Sequence, residues 1–436
     1  MLYQLSHVRT VSPDHSGSHP VPGPLARSGD VSNSSGFPGQ LKFRLPSVLR
    51  SSPAGRAGRP AGHRIAPVSD LVPLARFGGL VAADLRDVTG DPAALESGGF
   101  WAVVAGFEGG LVCARFGDVR PAPPPAPAPG AWRGPAPGEW TSSLDRDGYL
   151  AGVRRIREHI AAGEVYQANL CRVLSAPLPD PATADIDALT ALLARGNPAP
   201  YAGTVRLPAH GVEIATASPE LFLRRNGRTV ESGPIKGTGR TAADLLEKDH
   251  AENVMIVDLV RNDLGRVCAT GSVTVPELCA VEEHPGLVHL VSTVRGELAG
   301  GAGWPELLGG TFPPGSVTGA PKSSALRIIE ELETAPRGPY CGGVGWVDAD
   351  RGTGELAVGI RTFWIDREAP GGPLLRFGTG AGITWGSDPE REWAETELKA
   401  RRLLAIASER PGKPEEAGQP QDAEHTAARG TRGEAL

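Results

Sequence analysis

The 436 residues contain five cysteines and no C-x-x-C pair, so the sequence carries no zinc-ribbon or dithiol signature. Cys113, Cys171, Cys268, Cys279 and Cys341 mostly stand beside apolar neighbours, as small buried hydrophobes of a reduced compartment do. No apolar run reaches the roughly 20 residues that a membrane helix needs. The first twelve residues lack a signal-peptide core. Positive charge is also in short supply: the formal net charge is -6, and no basic stripe crosses the body of the chain. A nucleic-acid partner and a membrane are therefore not expected, and the chain reads as cytoplasmic. Internal repeats, a Ser-His-Asp order and zinc-ligand spacing are all missing.

Residues 1–65 are rich in Ser, Pro, Gly and Arg without apolar periodicity and read as a disordered extension. Short apolar runs over 66–120, such as Phe100-Trp-Ala-Val-Val104, read as strands of a small N-terminal β region. An Ala-Pro-rich linker follows at 121–142, and residues 411–436 form a polar tail. Between them, 143–410 reads as one catalytic domain. Tyr149, Leu150, Val153, Ile156 and Ile160 recur at helical spacing before a strand at 165–173. A second helix carries Ile186, Leu189, Leu192 and Leu193 and closes at Gly196. Strands are expected at 212–217, 220–224 and 228–232, then a helix over 243–264 and another led by Pro321. Three more strands near 341–347, 355–365 and 374–383 precede a last helix, capped by Ser387 or Asp388. Hairpins alternating with helices predict an α+β domain of mainly antiparallel sheets.

Pro-Ile-Lys-Gly-Thr at 234–238 sets Lys236 in a loop-like segment with glycines at 233, 237 and 239. Its amine is either a solvated surface group or, if its pKa falls enough, a nucleophile. Glu392, Glu395 and Lys399 share one helical face. That face is either an exposed one with a Glu395–Lys399 pair or half of a hard-cation site that Glu252 completes. Gly378-Thr-Gly-Ala-Gly382 suits either a tight turn or a backbone cup for a carboxylate. Arg361, in the apolar run 357–365, calls for an anion, and its planar fork matches a carboxylate. Gly315-Ser-Val-Thr-Gly-Ala-Pro-Lys322 is a broken P-loop: Ala320 and Pro321 separate glycine from lysine, and proline removes a phosphate-binding N–H.

Taken in order, these segments resemble the chorismate-utilising enzymes, which include anthranilate, aminodeoxychorismate, isochorismate and salicylate synthases. The likeness covers about 143–405. It rests on Glu164-Val-Tyr-Gln-Ala-Asn-Leu170, Ser218-Pro-Glu220, the 234–238 motif, Glu252-Asn-Val-Met-Ile-Val-Asp-Leu-Val-Arg-Asn-Asp263 and His289-Leu-Val-Ser-Thr-Val-Arg-Gly296. It continues through the 315–322 and 378–382 segments to Ser387-Asp-Pro-Glu-Arg-Glu-Trp-Ala-Glu-Thr396. The resemblance implies a two-sheet fold flanked by helices, with the active site in a cleft near the sheets' ends.

It further implies that Glu252 and Glu395 bind Mg2+, with Glu392 assisting, and that the metal holds the ring carboxylate of chorismate. Arg361 and Tyr340, with the backbone of Gly380 and Gly382, would hold the enolpyruvyl carboxylate. Glu220 would be the general acid for the C4 hydroxyl, His289 and Thr318 would line the ring, and Lys399 would neutralise charge near the metal carboxylates. Gln167 stands where water-using members place a lysine base; an amide cannot activate water, which favours ammonia. Lys236 then resembles the aminodeoxychorismate synthases, whose lysine attacks C2; anthranilate synthases generally carry alanine there. The expected product is 4-amino-4-deoxychorismate, for folate or specialised aromatic synthesis.

The sequence departs from the family's pattern in places. Gly239 replaces a larger residue, the part before Asp145 is short, and the tryptophan-sensing Leu-Leu-Glu-Ser pattern is not recognisable. No Gly-x-Cys-x-Gly elbow is present, so ammonia is expected from a separate glutamine amidotransferase subunit. Anthranilate synthase and a catalytically silent binding paralogue are the alternatives.

Overall fold

The computed structural model describes residues 71–126, 131–239, 241–245, 247–284 and 287–409; the extensions expected at 1–65 and 411–436 lie outside them. The first apolar runs form β1 (Leu74–Phe77), β2 (Leu80–Thr89), β3 (Phe100–Ala105) and β4 (Leu111–Pro121). Next come β5 (Thr141–Ser142), α1 (Arg146–Ala161), β6 (Gln167–Pro177), α2 (Ile186–Gly196), β7 (Tyr201–Leu207), β8 (Val212–Ser218) and β9 (Leu221–Asn226). The middle of the chain gives β10 (Thr229–Gly233), β11 (Ile235–Gly239), α3 (Glu247–Gly265), β12 (Thr274–His284), β13 (Leu287–Glu297) and α4 (Trp304–Thr311). The last part gives β14 (Gly319–Ala320), α5 (Lys322–Leu332), β15 (Gly343–Asp348), β16 (Thr353–Val358), β17 (Thr362–Asp366), β18 (Leu374–Ile383) and α6 (Pro389–Ala407).

Every strand pairing among the described residues is antiparallel, as the hairpin pattern predicts. One ladder runs β12–β13–β10–β9–β16–β15–β3–β4–β2–β1–β7–β8–β17–β18–β6, with β11 also on β13 and β5 and β14 on β6. Ala75, Phe77, Phe100, Val104, Val205 and Ile214 join in one apolar cluster that draws on both halves of this ladder. A second cluster buries α3 and α4 through Ile256, Val260, Leu264, Trp304 and Leu308. A third packs α2 and α6, through Leu189, Leu193, Leu403 and Ile406, on Phe363 and Phe377. The helices are thus held by their apolar faces, and their polar faces are left for chemistry.

Three local expectations change. The run 355–365 is not one strand: it breaks at Arg361, whose φ is +51°. The break carries the chain from β16, paired with β9 and β15, to β17, paired with β8 and β18, so the run crosses between the two halves of the ladder. Gly378-Thr-Gly-Ala-Gly382 is neither turn nor cup but part of β18, fully paired with β6. A Cβ on Gly378 would lie 2.0 Å from the Tyr340 ring, so packing accounts for that glycine. Asp388, not Ser387, caps α6, accepting from Arg391 N at 3.1 Å; Ser387 Oγ instead accepts from Thr384 N.

The proline-rich 121–142 segment contributes to packing as well as connection. Trp132 is buried and donates through Nε1 to Ala407 O at 2.8 Å, while β5 pairs with β6. All five cysteines are free, and four are buried. Among the described residues no helix is long and apolar enough to cross a membrane.

Candidate active site

Lys236 lies in β11, at a register shift in the pairing with β13 between Ile235 and Thr238. Gly237 makes the irregularity possible with φ +81°; a Cβ there would meet Asp249 Cβ at 2.9 Å. The bulge, rather than a free loop, directs the lysine. Nζ lies 3.5 Å from Ser316 O. Burial lowers the amine's pKa, and the Lys399 charge adds to this, outweighing the attraction of Glu252, Glu220 and Glu395.

Glu220 sits between β8 and β9 and is 5% exposed. Burial pushes its carboxyl up to about 7, against the opposing effects of the Ser316 hydroxyl, Lys236, the Ile235 N–H and Lys399. Its backbone is pinned: Glu220 N donates to Ser218 Oγ at 3.2 Å, and Ser218 Oγ donates to Val358 O at 2.7 Å. A carboxyl poised near neutrality beside an amine with a lowered pKa is an acid–base pair of the kind expected at a catalytic centre.

Glu252 projects from α3, and Glu392, Glu395 and Lys399 from α6. Burial, with the Glu395 charge adding to it, raises the carboxyls of Glu252 and Glu392. Burial also acts on Glu395, but Lys399, Lys248 and Lys236 outweigh it and leave that carboxyl lowered. Lys399 Nζ bonds Glu395 Oε1 at 2.8 Å and Gly380 O at 3.0 Å, tying α6 to β18. Among the described residues no three His, Cys, Asp or Glu side chains converge closely enough to cage a metal. The donor chemistry nonetheless fits Mg2+, which takes one or two carboxylates and completes its shell with water and an anionic substrate.

The remaining residues are placed unevenly. Arg361 is partly buried, its pKa lowered by burial, and its guanidinium has no hydrogen bond or ion pair among the described residues. Along 378–383 of β18, β6 is the sole strand neighbour described, so that stretch of β18 keeps one edge open beside Gly380 and Gly382. Gln167 is fully buried; its Nε2 reaches Asn169 Oδ1 at 3.4 Å, and its Oε1 accepts from no protein group described. A Cβ on Gly382 would lie 2.5 Å from Gln167 Nε2, so glycine there makes room for the amide. His289 is buried in β13 opposite Thr238. Thr318 turns inward, donating to Pro314 O at 3.0 Å. Tyr340 is buried, and its hydroxyl bonds Cys171.

Sequence reasoning missed the groups that brace these side chains. Ser316 meets both Glu220 and Lys236. Lys248, on the first turn of α3, faces Glu252, Glu392 and Glu395. Buried Arg337 pairs with Glu333 at 2.6 Å and donates to Val317 O and Asn169 O, locking the 315–318 loop to β6. The P-loop-like lysine serves the fold, since Lys322 Nζ bonds Asp263 Oδ2 at 2.6 Å, Thr311 O at 2.8 Å and Pro313 O at 2.9 Å. Its spacing from Gly315 was the signal, and only its partners show the use.

Residues 115–405 match the family described as chorismate binding enzyme. The chain belongs to that family. This chorismate binding enzyme is 41% identical over 294 residues to anthranilate synthase component 1 of Thermus thermophilus, a match covering 62% of this chain and 61% of that protein. It is also 41% identical over 272 residues to an aminodeoxychorismate synthase of Streptomyces pristinaespiralis, covering 59% of this chain and 36% of that one. The match thus spans less than two thirds of either relative. In fold it resembles anthranilate synthase component I from Streptococcus pneumoniae, with a TM-score of 0.63 and 22% identity over 83% of this chain and 99% of that one.

Proposed function

We propose that this chorismate binding enzyme is an aminodeoxychorismate synthase component I, which makes 4-amino-4-deoxychorismate from chorismate and ammonia. The observation that carries the reading is the half-buried Lys236 amine of lowered pKa beside a Glu220 carboxyl near 7. Neutral Lys236 attacks C2 of the ring, the conjugated diene shifts, and the C4 oxygen leaves as water with the proton of Glu220. Ammonia then adds at C4, the diene shifts back and the bond from C2 to Lys236 breaks. Glu220 takes the proton that the incoming nitrogen loses, so both groups return to their starting states. Arg361, without an anionic partner among the described residues, suits the enolpyruvyl carboxylate. Glu252 and Glu395, with Glu392, would hold Mg2+, which supplies positive charge to the ring carboxylate. A glutamine amidotransferase subunit would supply the ammonia.

Chorismate without ammonia should leave a covalent adduct at Lys236, visible by intact-protein mass spectrometry. Lys236→Ala should lose the adduct and most product while still binding chorismate. Anthranilate synthase is the second reading, favoured by the name of the Thermus relative. Release of pyruvate with anthranilate as product, and no adduct on the wild type, would decide for it.

A further inference from the structure

The ladder ends at β12, which pairs with β13 alone among the described residues and leaves its other edge open. Its register shifts between Glu277 and Ala280, so that Leu278 and Cys279 together oppose Ser292. Strict alternation would set Leu278 and Val281, three residues apart, on opposite faces; the extra residue brings them to the same one. Cys279 takes φ +53° to make this bulge, a conformation that a residue with a Cβ rarely adopts. Buried partners hold it there: its N–H donates to Ser292 Oγ at 2.8 Å, and its thiol donates to Asn253 Oδ1 of α3 at 3.6 Å. The apolar side chains so gathered are uncovered. Leu278 is 53% exposed and Val281 45%, and Val254, beside Asn253 on α3, is 44% exposed. Backbone strain that collects apolar side chains in water marks a docking surface.

Charge selects the kind of occupant. β12 carries Glu277, Glu282 and Glu283 but no lysine or arginine, and neither type occurs anywhere between Arg266 and Arg295. A second copy of the chain would lay one acidic strand along another, and like charges across a ladder are destabilising. A partner with apolar side chains flanked by Lys or Arg suits both the patch and its rim. Position selects which partner. β13, the neighbour of β12, carries His289 and pairs with β11, the strand of Lys236, while α3, which Cys279 touches, carries Glu252. A subunit seated here rests against the elements that carry the reacting groups. We infer that β12 and the adjoining turn of α3 dock the glutamine amidotransferase subunit, through an apolar patch on that subunit ringed by Lys and Arg. The inference rests on the proposed reading, which requires such a subunit.

The test mixes the full chain with the purified glutamine amidotransferase subunit from the same cells and reads the complex by sedimentation velocity. Leu278→Asp and Val281→Asp should each weaken the complex by about 10-fold or more, because each puts an unpaired charge at an apolar contact. Joint replacement Glu277→Lys and Glu283→Lys should weaken it by about 3-fold or more, and high salt should weaken the wild-type complex. Val119→Asp, an exposed apolar site far along the ladder on β4, should leave it intact. Every variant should keep wild-type turnover with ammonium, and the patch variants alone should lose turnover with glutamine. Undiminished binding by Leu278→Asp and Val281→Asp would overturn the docking surface. So would a wild type that binds no amidotransferase, or a self-association of the wild type that Leu278→Asp dissolves, which would assign the surface to a second copy. Failure to make aminodeoxychorismate from ammonium would instead count against the reaction proposed above, with the binding result read independently.

Discussion

Replacing Glu220 by glutamine should separate stability from catalysis. In the unfolded chain this carboxyl titrates near 4.5; in the fold, burial holds it at about 7. Below 4.5 it is protonated in both states, and the fold keeps the full benefit of a neutral buried group. As pH rises from about 4.5 to about 7 the unfolded chain ionises first, and stability is lost; above about 7 the loss is complete. At 1.36 kcal/mol for each pH unit, the loss approaches about 3 kcal/mol. Glutamine keeps the shape, stays neutral at every pH and has no such slope. Glu220→Gln should therefore match the wild type near pH 4.5 and exceed it by up to about 3 kcal/mol at pH 8. At the same time it should lose turnover, because an amide donates no acid proton to the leaving hydroxyl. Urea unfolding of both proteins at several pH values between 4.5 and 8 reads the difference, which includes the loss of the Glu220 charge that supports the Lys236 ammonium. Parallel pH dependences would refute the raised carboxyl, and a Glu220→Gln enzyme with wild-type turnover would remove Glu220 from the acid role.

Glu252→Gln and Glu395→Gln should each leave below about 1% of turnover, given that metal charge stabilisation is worth several kcal/mol. EDTA should do the same to the wild type, and calorimetry should show that Mg2+ no longer tightens chorismate binding to either variant. Gly378→Ala sets a methyl 2.0 Å from the Tyr340 ring and should lower stability by about 1–3 kcal/mol in urea titrations. Glutamine alone should give no product with the purified chain, ammonium salts should restore it, and glutamine-dependent turnover would show a glutaminase activity in this chain.

Much of this protein was legible in its sequence because the signals were local. Apolar residues at helical spacing located α1 and α2, since a helix buried on one face must repeat that way. Hairpin-length apolar runs announced an antiparallel architecture. Motif order identified the family before any coordinates, because chemistry restricts residue type more tightly than packing does. Register and charge environment were not legible. Whether 355–365 is one strand or two depends on which half of the ladder each piece pairs with, and Gly378 is glycine because the distant Tyr340 ring lies against it. The same holds for reactivity. A lysine in a Gly-rich stretch is an ordinary cation until β11, α3 and α6 surround it. Burial alone turns Glu220 into an acid near neutrality, and burial is a property of the residues around it, drawn from segments far apart in the chain. Sequence decides which groups the site contains, and tertiary structure decides how much water they keep and so what charge they carry.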